Sequence, residues 1–99
     1  MRMWSVQPAL MCNQHLLGEH VELHMIVGAL NRGISMTGYY NGGLVSTDGI
    51  VPRHTALVEE MTARGMKHQS PLPAFINPHL GTVTDGVELH RRCERCRAR

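Results

Sequence analysis

Apolar residues dominate from Ala9 to Leu30, and no proline interrupts the chain between Ala9 and Gly33. The pattern predicts one long helix that starts near Pro8, a good first-turn residue, and closes at Asn31-Arg32-Gly33. Leu10, Met11, Leu17, Val21 and Met25 fill one flank, and Leu16, Leu23, Val27 and Leu30 fill the other. At about 100° per residue, His15, Glu19, Glu22 and Ile26 fall on one narrow stripe between them. A helix apolar on nearly every side is expected to be buried. Carboxylates and an imidazole aligned along such a helix are costly unless they are paired or used.

Downstream, Ile34 to Thr47 reads as a Gly-rich loop carrying Tyr39 and Tyr40. A second helix is predicted from Asp48 or Val51, with Pro52 in its first turn, to Arg64-Gly65. Its inward face is expected at Ile50, His54, Leu57, Val58 and Met61. Met66 to Thr84 contains three prolines and reads as irregular. A last helix opens at Asp85-Gly86-Val87-Glu88, a capping-box spacing, and runs into an arginine-rich end. No repeat and no period-2 strand stands out. The expected fold is all-α: residues 1–99 as one compact three-helix bundle, with a long buried N-terminal helix and two irregular loops.

Charge adds an asymmetry. The formal net charge is +2, yet residues 91–99 hold five arginines against Glu94, while the first ninety residues are net acidic. A basic tail suits phosphate contacts, although for any one of these arginines a solvated terminus is the preferred reading. Three cysteines cannot all pair internally, which points to a reducing, cytoplasmic setting. No signal peptide is visible, and no window approaches the roughly 20 apolar residues that span a membrane. Length and composition suit one small domain.

Two groups of residues invite a metal reading. His20 and His24 lie four apart on the first helix, but Glu22 between them is misplaced for a zincin motif and points away from both. Their first reading is structural. Cys93-x-x-Cys96 is half a zinc knuckle without a second pair, and with Leu89 it shares one helical face, so packing is the preferred reading. A zinc site there would need His90 or another chain to complete it.

The N-terminal motifs are more specific. Met1-Arg2-Met3-Trp4, then Gln14-His15-Leu16, then Glu19-x-x-Glu22-Leu23 and Gly28-Ala29-Leu30, follow one another in a set order. Glu59-Glu60-Met61-Thr62-Ala63-Arg64-Gly65 and His68-Gln69-Ser70-Pro71-Leu72 continue the series. This order resembles the pyrimidine-dimer DNA glycosylases of the phage endonuclease V type, over about three-quarters of the chain. The resemblance implies a DNA-repair glycosylase with abasic-site lyase activity, acting on damaged or abasic double-stranded DNA without a cofactor.

Carried over by spacing, the family's nucleophile, the α-amino group of the first residue, falls on Met1. Its glutamate falls on Glu22. Arg2 is a bulky second residue, so Met1 is expected to be retained. An α-amine has an intrinsic pKa of about 7.7–8.0, leaving a useful neutral fraction near neutral pH. Around this pair, Arg2, Gln14, His15, Glu19, Tyr39, Tyr40, Arg91 and Arg92 are the expected DNA-contacting residues. Glu19 is expected to tune Glu22 or pair with His15, Trp4 to anchor the core, and the tyrosines to stack on bases. The target nucleotide would have to leave the duplex stack.

The chain departs from the phage pattern in three ways. Val21 and Met25 stand where arginines flank the glutamate, the loop after the first helix is shorter, and the aromatic, lysine-bearing C-terminal segment is replaced by the arginine-cysteine tail. These changes leave the amine–glutamate pair intact and put dimer specificity in question. Two other readings compete: a metal-dependent hydrolase built on His15, Glu19, His20, His24 and His54, and a non-catalytic DNA-associated module. Under a purely structural reading, Glu22 belongs to a polar cluster with His15 and His54.

Overall fold

A computed structural model describes residues 1–67, 70–84 and 87–99. Among the described residues five helices follow a 3-10 turn at Pro8–Leu10: α1 Asn13–Asn31, α2 Thr37–Asn41, α3 Ile50–Ala63, α4 Val87–Arg92 and α5 Glu94–Arg97. Among the described residues the only β contact is an isolated bridge between Leu44 and Val83. The expected all-α class is what the structure has. Its radius of gyration is 13.1 Å, close to the roughly 13 Å of a compact chain of about this length.

The first helix starts five residues later than its sequence predicts. Pro8 opens the 3-10 turn, Cys12 is extended at φ −70° and ψ 163°, and α1 begins at Asn13. In a continuous helix Met11 would lie about 120° from the buried stripe. The break turns it inward, where Met11 and Cys12 are both buried. The expectation of a helix buried all round also fails. Leu16, Glu19, His20, Leu23, Ile26, Val27 and Ala29 face the core, whereas Val21 and Met25 are 49% and 51% exposed.

Helix ends follow their sequence signals. Gly33 at φ +70° and Gly65 at φ +73° adopt the left-handed conformation that ends α1 and α3. The amides of Gly33 and Ile34 reach back to Leu30 and Ala29, and those of Gly65 and Met66 to Thr62 and Met61, the paired bonds of a Schellman motif. α3 packs along α1 with Ile50, Leu57 and Met61 buried. Of the other expected inward residues, His54 and Val58 are only half-buried.

The segment between α1 and α3 is not simply a loop. It folds into α2, where Tyr39 and Tyr40 are half-buried against the core. The long segment after α3 is irregular over its described residues, as expected, and folds back on the body. Thr47 exchanges bonds with Leu80, and Asn31 Nδ2 donates to the Ala74 carbonyl. The final helix is broken in two at Cys93, which is extended at φ −114°. Leu89, Cys93 and Cys96 are nonetheless all buried. The arginine-rich end therefore docks on the core as α4 and α5 and is not a loose tail. The proposed capping box at Asp85 and Gly86 lies outside the described residues, as do His68 and Gln69.

Candidate active site

Glu19 organises the site. Its side chain is fully buried on α1, and Arg53 of α3 grips it with a two-pronged ion pair at 2.7 and 2.8 Å. Arg53 also donates to the Val6 carbonyl at 2.6 Å. Burial pushes the Glu19 carboxyl above its ordinary range, while Arg53 and the Trp4 amide oppose that shift. Trp4 N–H donates to Glu19 Oε2 at 3.2 Å, so the buried pair pins the N-terminal strand of chain across α1. Glu19 thus does not pair with His15, while the nearby charge of Glu22 adds to the upward push on its carboxyl. Sequence reading missed Arg53, although it lies three residues after Ile50 and four before Leu57, on the inward face of α3. A buried carboxylate requires a cation, and that requirement was the available signal.

One turn along α1, Glu22 is half-buried. Its Oε2 accepts the backbone N–H of Arg2 at 3.4 Å. The carboxylate at position 22 therefore lies beside the first peptide group of the chain. Met1 is half-buried and packs against the core.

Beside this contact is a cleft of about 240 Å³ lined by Arg2, Trp4, Gln14, His15, Gly18, Glu19 and Glu22. It gathers Arg2, Gln14, His15, Glu19 and Glu22 from the expected set. The Arg2 guanidinium stacks 3.6 Å from the Trp4 ring centre and pairs with Glu88 at 3.3 Å. Trp4 meets the His15 ring edge-on at 6.3 Å. Trp4, expected as a core anchor, packs half-buried against the core and also forms a wall of this cleft.

Other expected contacts lie elsewhere. Tyr39 and Tyr40 are on α2 and line no part of this cleft; burial pushes the Tyr40 phenol upward. Arg92 is held by Glu88 at 2.6 Å, and Arg91 is exposed. Arg95 and Arg99, which the sequence places in the basic tail but not among the expected DNA-contacting residues, line a neighbouring cleft of about 360 Å³ with Cys12, Asn13 and Gln14. Gln14 belongs to both clefts.

The structure separates the five residues of the metal-hydrolase reading. His15 sits among cysteines, Glu19 is committed to Arg53, and His20, His24 and His54 form a cluster of their own. The His20 ring lies 4.8 Å from His24 and 4.9 Å from His54 between ring centres. Burial lowers the pKa of His20 and of His54, and neighbouring imidazoles lower both further. The polar cluster of Glu22, His15 and His54 does not form either, because His54 Nε2 faces the Ser70 carbonyl at 3.1 Å.

The sequence profile of the family described as pyrimidine dimer DNA glycosylase matches residues 1–74. The chain belongs to this family. No curated protein and no solved structure matches it. The pyrimidine dimer DNA glycosylase match contains the whole cleft around Glu22 and stops before the arginine-cysteine segment. Membership names DNA as the substrate class. No helix among the described residues is long and apolar enough to cross a membrane.

Proposed function

We propose that this glycosylase acts through an imine between the Met1 α-amine and the damaged nucleotide, and that it is also an abasic-site lyase. The observation that carries the reading is the 3.4 Å contact from the Arg2 amide to Glu22, at the edge of a cleft of about 240 Å³. In the proposed reaction the amine lone pair attacks sugar C1′. The C1′–N bond breaks and the base leaves with that electron pair, taking a proton from solvent. The nitrogen gives up a proton to the ring oxygen O4′, which leaves with the electron pair of the C1′–O4′ bond, and a protonated imine remains.

Glu22, as carboxylate, would stabilise that positive charge. It then accepts the C2′ proton, and the electrons left behind expel the 3′ phosphate oxygen by β-elimination. Water finally hydrolyses the imine and frees the amine. Arg2, Gln14 and His15 would contact the extruded nucleotide and its phosphates, with Trp4 as a stacking surface.

Arg95 and Arg99, in the adjoining cleft, would hold the flanking backbone. They would supply charge that α1 lacks at Val21 and Met25. A reducing, cytoplasmic setting is part of this reading.

Borohydride treatment during incubation with ultraviolet-irradiated duplex and with abasic duplex tests the proposal. A covalent protein–DNA adduct on at least one, with matching strand cleavage, is expected. Binding without adduct or cleavage on either would overturn it in favour of a non-catalytic DNA module.

A further inference from the structure

Cys12, His15, Cys93 and Cys96 converge, with one donor atom from each lying within 4.8 Å of every other. His15 Nδ1 is 3.2 Å from Cys12 Sγ and 3.6 Å from Cys96 Sγ, and Cys12 Sγ is 3.9 Å from Cys93 Sγ. Zinc–sulfur bonds of about 2.3 Å and zinc–nitrogen bonds of about 2.0–2.1 Å, directed tetrahedrally, separate two sulfurs by about 3.8 Å and a sulfur and a nitrogen by about 3.5 Å. The two sulfur–nitrogen distances bracket the second value, and the sulfur–sulfur distance of 3.9 Å lies close to the first. From this geometry we infer that Cys12, His15, Cys93 and Cys96 form a structural zinc site.

The local backbone has the form such a site needs. Each pair is spaced x-x, as Cys12-x-x-His15 and Cys93-x-x-Cys96, and each begins at the residue that caps a helix. Cys12 N–H donates to Cys96 Sγ at 3.3 Å, and Cys96 N–H donates to Cys93 Sγ at 3.4 Å. Amide donors aimed at sulfur are the supporting bonds that hold thiolate ligands in orientation.

All three cysteines are buried. Packing alone would explain three small apolar groups, but it gives no reason for an imidazole nitrogen directed among them. Four protein donors with three sulfurs suit zinc in a closed, structural coordination shell. Three thiolates and a neutral imidazole around Zn²⁺ leave one negative charge, which Arg95 and Arg99, lining a cleft with Cys12, complement.

Residues 93 and 96 lie beyond the family match, so the site is a property of this chain's own C-terminal segment. It completes the half-knuckle from within the chain, with neither His90 nor a second copy. Its effect is to bolt the first turn of α1, which carries Gln14 and His15, to α5, which carries Arg95. The inference does not depend on the proposed imine chemistry.

Anaerobic titration of the reduced full-length protein with Co²⁺ tests it directly. Saturation at one equivalent is expected, with a thiolate-to-cobalt charge-transfer band, the visible bands of four-coordinate cobalt, and loss of both on adding Zn²⁺. Replacing Cys93 or Cys96 by serine is expected to weaken binding by more than about a hundredfold, beyond the 10–100-fold typical of losing a supporting bond. His20→Asn, in the separate histidine cluster, should leave the thiolate band intact. A wild-type protein that gives no thiolate–cobalt band overturns the inference, whatever the variants do. So does a Cys12–Cys93 disulfide that forms without metal loss.

Discussion

At the scale of single residues, two glutamates one turn apart have opposite fates because of what faces them. Glu19 meets Arg53 in the core, and Glu22 meets a backbone amide at the rim of a cleft. Removing one partner of a buried pair strands the other charge. Arg53→Met is therefore expected to destabilise the fold by about 3–5 kcal/mol, read as a shift in the urea midpoint. A midpoint within the error of wild type would contradict the role given to Arg53. Glu22→Gln removes no buried ion pair. It should leave the urea midpoint nearly unchanged while slowing strand cleavage by about 10²–10⁴-fold. Equal loss of folding and cleavage would instead make Glu22 a structural residue. The α1 stripe announced both carboxylates as groups needing a purpose. It did not reveal which would be neutralised, because that depended on the position of α3.

At the scale of elements, long helices were legible and their junctions were not. α3 and the glycine-ended terminus of α1 follow local signals: Pro52 near a start, and Gly33 and Gly65 just past an end. The break before Asn13 and the one at Cys93 follow from contacts 81 to 84 residues away in sequence, which periodicity does not contain. The glycines around Tyr39 and Tyr40 favour a loop, yet α2 packs both tyrosines on the core.

The junction of α1, α3 and the returning loop carries a pH dependence. His20 of α1 and His54 of α3 have pKa values below 6.5 in the folded chain, with His24 beside them and the Ser70 and Pro71 carbonyls facing the cluster. The unfolded chain, with ordinary histidines, takes up protons first as pH falls. Stability from this cluster is thus full above about 6.5 and is lost as pH drops toward the lower folded values. Calorimetry should show a lower Tm at pH 5 than at pH 7.5, with a smaller difference in His20→Gln. An unchanged slope in that variant would place the pH dependence elsewhere.

At the scale of the whole molecule, the N-terminal segment, α1 and the arginine-cysteine end assemble two adjoining clefts that share Gln14. The family resemblance was readable from motif order, and the profile match over residues 1–74 bears it out. The second cleft was not readable, because Arg95 and Arg99 looked like a solvated terminus until Cys93 and Cys96 anchored them. If both arginines meet phosphates, Arg95→Ala/Arg99→Ala should flatten the slope of log affinity against log salt by up to about 1.8, roughly 0.9 per contact. An unchanged slope would exclude them from the DNA path.

The chain has a single lysine, the exposed Lys67, so only two amines can form an imine: its ε-amine and the α-amine of Met1. Mass spectrometry of the borohydride-trapped complex after proteolysis distinguishes them. The account predicts the sugar remnant on the Met1 nitrogen, with trapping retained in Lys67→Arg and abolished by acetylating the N-terminus. A remnant on Lys67, or undiminished trapping by the acetylated protein, would contradict it.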